Sequence, residues 1–156
     1  MDRNAVLPTG GTAFKNYCLY LLFMTHVLVA DGLAIVRYGT THILQEQFPG
    51  TQVTTAGDVD EMVVCLDQSK FDLLILDIDL TGADSREILD MIRQKQPGIR
   101  ILMFSGRIVT THALHYLAAG AQGLLLKSES ERRLKEAINT IFKGNIYISE
   151  GFRDVR

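Results

Sequence analysis

The sequence has little cysteine, little excess charge and no apolar run long enough to span a bilayer. Its two cysteines, Cys18 and Cys65, are far apart and lack metal-binding or redox spacing. This usage argues against a disulfide framework and favours a reducing, cytoplasmic location. A formal net charge of −2 excludes attachment to nucleic acid or to an anionic membrane by charge alone. These absences leave an ordinary globular protein as the expected class.

The chain is long enough for one domain. With 156 residues, 47% of them hydrophobic, it can bury roughly two-thirds of its surface without a disulfide or a metal. The apolar run from Tyr17 to Ala30 is shorter than the ~20 residues of a spanning helix, and no signal-peptide cleavage motif follows it. We therefore interpret residues 1–24 as an N-terminal extension, natural or added upstream of a start at Met24, and predict no membrane association.

Short apolar runs alternate with longer amphipathic segments from Thr25 onward. Runs of four to six residues rich in valine, isoleucine and leucine are typical of parallel strands covered on both faces. They predict strands over 26–30, 51–56, 73–77, 100–104 and 123–126. Apolar residues between the strands recur at helical spacing, as in Leu134, Ala137, Ile138 and Ile141. Strict alternation with right-handed crossovers predicts an α/β fold, a doubly wound five-stranded parallel sheet of the (βα)5 flavodoxin-like type.

Polar side chains stand at four of the predicted strand ends. Asp31 follows the first strand and Asp77 ends the third. Ser105 and Lys127 follow the fourth and the fifth. Because ligands of doubly wound sheets bind outside the carboxyl ends of the strands, we expect these residues to share one edge. Clustered carboxylates favour a cation such as Mg²⁺, which also accepts phosphate oxygens, so Asp77 is a candidate carboxylate nucleophile for a phosphoryl group.

The same segments resemble the receiver domain of two-component response regulators, and most closely the receivers of LuxR-type transcription regulators. The resemblance extends from Thr25 to Ser149 and is carried by VLVADGLAIVR, FDLLILDIDLTG, ILMFSG, LAAGAQGLLLKS and GNIYIS. It implies a phosphoacceptor signalling domain rather than an enzyme.

The resemblance implies a role for each residue of the predicted site. Asp77 is expected to be the phosphoacceptor, and Asp31 is expected to belong to a Mg²⁺ site together with Asp77 and the main-chain carbonyl of Asp79. Ser105 matches the hydroxyl residue that moves toward the phosphoryl group. Lys127 matches the lysine that contacts that group.

Several positions depart from the family pattern. Gly32 stands where the family usually has a second acid, normally the direct metal ligand, so we expect Mg²⁺ to bind weakly. Leu80-Thr81-Gly82 replaces Met-Pro-Gly after the acceptor strand, and Leu124 replaces an aromatic switch residue. The side chain of Asp79 adds a carboxylate near the predicted metal site. Arg107, two positions after the switch hydroxyl, could contact an anion, but we interpret it as a surface residue.

The resemblance also implies partners and boundaries. It implies a sensor histidine kinase as phosphodonor and an output surface over about Val109–Phe142. It also allows a homodimer. In this family, transcription would be regulated through a DNA-binding helix-turn-helix domain. The residues after Gly144 are too few to form such a domain, so we do not expect this chain to bind DNA itself. We predict a receiver domain over 25–144 and the start of a C-terminal linker over 145–156, in a truncated or stand-alone receiver.

Two other functions stay open from the sequence. A degenerate receiver would keep the fold and act as a phosphorylation-independent protein-interaction domain. A haloacid-dehalogenase-like phosphatase would use the D-x-D-x-T motif, with Asp77 as nucleophile and Asp79 as general acid/base. The phosphatase is disfavoured because its motif normally opens the fold and a further acid-tipped strand follows its lysine. Here the motif lies on the third strand, and no such strand is predicted after Lys127.

Overall fold

Parallel strands alternate with helices along the whole described chain. The computed structural model describes residues 26–82, 85–107 and 110–153, so the predicted extension 1–24 lies outside the described residues. The strands are β1 (His26–Ala30), β2 (Gln52–Ala56), β3 (Leu73–Asp77), β4 (Arg100–Ser105), β5 (Gly123–Leu126) and β6 (Tyr147–Ile148). The longer helices are α1 (Ala34–Gln47), α2 (Val59–Gln68), α3 (Ser85–Lys95), α4 (Thr110–Ala118) and α5 (Glu131–Phe142). A one-turn helix (Ile78–Thr81) follows β3, and a 3₁₀ turn (Glu150–Phe152) follows β6.

The sheet is parallel throughout and has the strand order β2-β1-β3-β4-β5-β6. The chain runs outward from β1 to β2 and then returns across β1 to β3, so the order reverses between β1 and β3. That reversal is the topological switch point, where doubly wound sheets bind their ligands. The predicted doubly wound α/β fold is confirmed, and β1, β3 and β5 have the predicted bounds.

Apolar faces of helices cover both faces of the sheet. All five residues of β3 are buried, because helices cover this strand on either side. One core layer joins the sheet to α2, α3 and α4, and includes Leu28, Leu74, Met62, Leu89 and Tyr116. The other layer joins the sheet to α1 and α5, and includes Val29, Ile75, Leu44, Leu134 and Ile138. In the described ranges, no helix is long and apolar enough to cross a membrane.

The sheet has six strands rather than the predicted five. β6 pairs with β5 through Gly123 with Tyr147 and Leu124 with Ile148, and Phe152 after it is buried in the core. The short strand satisfies backbone groups along the edge of β5, but two residues are too few to produce a periodic apolar signal in the sequence. The packed domain therefore continues past Gly144 into the segment predicted to begin a linker.

The buried side chain of Gln96 joins the end of α3 to the last turn of α2 and to the loop that follows α2. Its Nε2 donates to the carbonyl oxygens of Leu66 and Ser69 at 2.8 and 2.7 Å, and its Oε1 accepts the Phe71 N–H at 3.0 Å. One amide therefore satisfies three backbone groups, all of which would lose their partner with an apolar residue at this position.

We expect Gln96→Leu to lower the free energy of unfolding by about 2 kcal/mol, since it leaves buried backbone groups without hydrogen bonds. Denaturant unfolding monitored by circular dichroism measures the change. Gln94→Leu, at an exposed position of the same helix, is the matched control and should change stability by less than about 0.5 kcal/mol. Equal losses in the two variants would contradict the assigned role of Gln96.

Candidate functional site

The carboxyl ends of β1, β3 and β5 bring the carboxylates of Asp31 and Asp77 and the ammonium group of Lys127 into one buried cluster, the hollow. Lys127 Nζ lies 2.5 Å from Asp31 Oδ2 and 3.1 Å from Asp77 Oδ1. The side chains of Asp31, Asp77 and Lys127 are 1%, 7% and 14% exposed. Three of the residues that the sequence singled out are therefore in direct contact, although they are far apart along the chain.

The turn after β1 positions Asp31. Its backbone N–H donates to Ala56 O at 3.0 Å, and its Oδ1 accepts the Leu33 N–H at 2.8 Å. Arg37 Nη1 donates to the carbonyl oxygen of Asp31 at 2.7 Å, a contact that the sequence did not predict. Asp31 Oδ2 is buried without a hydrogen bond of acceptable geometry in the described part of the chain, although the Lys127 ammonium lies beside it. One carboxylate oxygen is thus used by the turn, and the other faces the hollow.

Asp77 ends the buried strand β3 and caps the one-turn helix that follows it. Its Oδ1 accepts the Asp79 N–H at 3.1 Å and also contacts Lys127 Nζ. Burial raises the pKa of the Asp77 carboxyl, and the nearby charge of Asp31 raises it further. Hydrogen bonds from Lys127 and from the Asp79 N–H oppose this change in pKa. The site therefore holds a desolvated carboxyl group whose charged form is favoured by Lys127 and by the Asp79 N–H.

Ser105 ends β4, and its hydroxyl bonds to the turn that follows. Its Oγ donates to Arg107 O at 2.5 Å and accepts the Arg107 N–H at 3.2 Å. Its carbonyl oxygen accepts the Lys127 N–H at 2.7 Å, which ties the end of β4 to the end of β5. The hydroxyl is buried near the hollow, but its hydrogen bonds hold the β4 turn rather than Asp77.

The carboxylate of Asp79 lies outside the hollow. Its Oδ1 pairs with Arg107 Nη2 at 3.0 Å, and the two side chains are 50% and 73% exposed. In the described ranges, no three His, Cys, Asp or Glu side chains are grouped so that they could hold a metal ion. The acidic group in the hollow therefore consists of Asp31 and Asp77. No spacing or motif in the sequence predicts the pairing of Asp79 with Arg107, 28 positions later.

Leu124 lies within β5 and is completely buried. It belongs to the same core layer as Ala113 and Tyr116 of α4 and Phe152 of the 3₁₀ turn. Leu124 is therefore a packing residue of the core layer to which β5 and α4 both contribute, and a rearrangement of that layer would change its contacts.

Comparisons with known proteins place these residues in a described family. A family model described as the response regulator receiver domain matches residues 27–139. The transcriptional activator protein ExaE of Pseudomonas putida is 31% identical over 124 residues, 80% of this chain and 58% of ExaE. The oxygen regulatory protein NreC of Staphylococcus haemolyticus is 31% identical over 123 residues, 78% of this chain and 57% of NreC. The chain thus spans just over half the length of these curated relatives.

Solved structures give a matching result. A crystal structure of a LuxR-family two-component response regulator from Aurantimonas is 30% identical to this chain, with a TM-score of 0.73. The match includes 83% of this chain and 93% of that one. Asp31, Asp77, Ser105 and Lys127 all lie within the region that the family model matches.

Proposed function

Since this chain belongs to the response regulator receiver domain family, we propose that Asp77 accepts a phosphoryl group from a phosphohistidine of a partner histidine kinase. The observation that carries the proposal is the buried contact of Asp31 and Asp77 with Lys127 Nζ. In this reaction an Asp77 oxygen attacks phosphorus while the phosphorus–nitrogen bond breaks. The imidazole keeps the bonding electron pair and takes up a proton, so the kinase histidine returns to its neutral state.

The contacts of Asp77 favour one of its oxygens as the nucleophile. Oδ1 is held by the Asp79 N–H and by Lys127, both at 3.1 Å, so we assign the attack to Oδ2. Lys127 then lies beside the position of the new phosphoryl group. Its ammonium can transfer part of its ion pairing from the carboxylates to a phosphoryl oxygen, which stabilises the added negative charge.

The residues of the hollow fit a Mg²⁺ ion that has few protein ligands. Asp31 Oδ2 is a buried oxygen without a hydrogen bond of acceptable geometry among the described residues, and Asp77 lines the same hollow. Mg²⁺ commonly binds one or two carboxylates and keeps several waters. Asp31, Asp77 and the main-chain carbonyl of Asp79 would hold the ion, which when bound neutralises charge on phosphoryl oxygens. We expect weak binding because Gly32 supplies no further carboxylate.

The phosphoryl group would act on the surface formed by α4, β5 and α5. Ser105 can bond a phosphoryl oxygen only by leaving Arg107 O, which frees the turn that leads into α4. Leu124 would repack as α4 shifts, since both belong to one core layer. ExaE is named a transcriptional activator, and we propose that this receiver likewise regulates transcription through a further DNA-binding domain rather than by binding DNA itself.

Direct phosphorylation tests the proposal. Incubation with Mg²⁺ and acetyl phosphate should add about 80 Da, one phosphoryl group, to the intact mass. Asp77→Asn should abolish the gain, because an amide cannot form the acyl phosphate. Asp90→Asn, at an exposed position on α3, is the matched control and should keep it.

Failure of the wild-type chain to gain this mass, with acetyl phosphate or with a phosphorylated kinase, would refute the phosphoacceptor function. That result would favour the phosphorylation-independent interaction domain. Sustained release of phosphate from a phosphomonoester, lost in Asp77→Asn, would instead favour the phosphatase.

A further inference from the structure

An exposed ion pair joins the two turns that carry Asp77 and Ser105. We propose that the pair of Asp79 and Arg107 is a latch that holds Ser105 in its unphosphorylated arrangement, and that Arg107 leaves Asp79 for the phosphoryl group when Asp77 is modified. This inference rests on the proposed function, and it assigns positioning roles to two residues outside the buried hollow.

Each member of the latch is bonded through its backbone to one functional side chain. The Asp79 N–H donates to Asp77 Oδ1 at 3.1 Å. The Arg107 backbone makes both hydrogen bonds of the Ser105 hydroxyl, at 2.5 and 3.2 Å. The side-chain ion pair at 3.0 Å therefore connects the acceptor carboxylate to the switch hydroxyl by a short path of direct contacts. Opening the pair would free the Arg107 backbone to release Ser105.

The chemistry of the two groups explains why phosphorylation would open the latch. A guanidinium group binds carboxylate and phosphate with the same fork of N–H donors. An aspartyl phosphate carries almost two negative charges, about one more than the carboxylate that it replaces. Arg107 would then lie between the Asp79 carboxylate and this more highly charged anion. The Asp79 N–H donates to Asp77 Oδ1, so the Asp79 carboxylate and a phosphoryl group on Asp77 would lie close together.

Tyr116, a buried residue of α4, is sensitive to both charges of the latch. Burial raises the pKa of Tyr116 and a side-chain hydrogen bond with Ser85 opposes this, while the charge of Asp79 raises the pKa and that of Arg107 lowers it. Transfer of Arg107 away from Asp79 would therefore change the electrostatic surroundings of the helix that the phosphoryl group is proposed to move.

The exposure of both partners makes the latch testable without loss of the fold. Exposed ion pairs contribute little to stability, so Asp79→Asn and Arg107→Gln should both remain folded. The measured quantity is the rate of phosphoryl uptake from acetyl phosphate with Mg²⁺, followed by intact mass. Asp79→Asn should raise the rate about threefold, because Arg107 is already free for the anion. Arg107→Gln should lower it about threefold, although it breaks the same ion pair.

The double variant separates a latch from a general effect of charge. If Asp79 acts by holding Arg107, then Asp79→Asn should have no effect on the rate once Arg107 is glutamine. If Asp79 merely repels the anionic donor, Asp79→Asn should raise the rate equally in both backgrounds, and the latch is excluded. Rates within twofold of wild type for both single variants would also exclude it while leaving phosphorylation of Asp77 intact. A wild-type chain that accepts no phosphoryl group would overturn both proposals.

Discussion

Lys127→Met is expected to lower the free energy of unfolding by about 4 kcal/mol in Mg²⁺-free solution. Lys127 Nζ is the cation beside two buried carboxylates, at 2.5 Å from Asp31 Oδ2 and 3.1 Å from Asp77 Oδ1. Removing one member of a buried ion pair leaves an uncompensated charge, and here a single substitution leaves two carboxylates facing each other. Methionine keeps the length and apolar volume of the lysine stem, so the loss reports mainly on charge.

Denaturant unfolding in the presence of a chelator measures this effect. Lys70→Met, at an exposed position before β3, removes the same charge away from the hollow and should cost less than about 0.5 kcal/mol. Addition of Asp31→Asn to Lys127→Met should recover part of the stability, because one of the two unpaired charges is removed. Millimolar Mg²⁺ should also stabilise the Lys127→Met variant, since a bound cation replaces the ammonium. A loss no greater than that of the Lys70→Met control would show that Lys127 does not compensate these carboxylates.

Gly32→Asp is expected to increase the affinity for Mg²⁺ on the order of 10–100-fold, because a carboxylate would join Asp31 and Asp77 at the edge of the hollow. The backbone accepts the change: Gly32 is not among the glycines with positive φ. A Cβ at this position would lie 3.9 Å from Gly57 O and from Leu80 Cδ1, which is ordinary van der Waals contact. Neither backbone conformation nor space therefore requires glycine here.

Thermal unfolding over a series of Mg²⁺ concentrations measures the affinity. Without Mg²⁺, Gly32→Asp should be less stable than the wild type, because the new carboxylate repels the two already present. With saturating Mg²⁺, Gly32→Asp should be more stable than the wild type. Gly98→Asp adds the same charge in the exposed turn before β4, at the other end of the strands, and should leave the Mg²⁺ dependence unchanged. If Mg²⁺ stabilises Gly32→Asp no more than Gly98→Asp, a carboxylate at residue 32 does not bind the ion.

The layered α/β architecture, and the sheet edge at which the polar side chains gather, follow from the apolar patterning of the chain. Strands covered on both faces must be almost wholly apolar, so LLILD could be identified with its observed bounds as β3. A polar residue directly after such a run can only stand at a strand end, and in a parallel sheet all carboxyl ends meet at one edge. The expected grouping of Asp31, Asp77 and Lys127 follows from this rule. The predicted resemblance is confirmed by the family match over residues 27–139.

Which polar groups contact one another at that edge depends on how distant segments pack together. The side chain of Asp79 could have pointed into the hollow, but it pairs with Arg107, 28 positions away on a different turn. The hydroxyl of Ser105 bonds the Arg107 backbone, and β6 pairs with β5 although it has two residues. Such contacts depend on distances between segments that are remote in sequence. The packing of the sheet and helices sets those distances, so the periodicity or spacing within one segment cannot predict them.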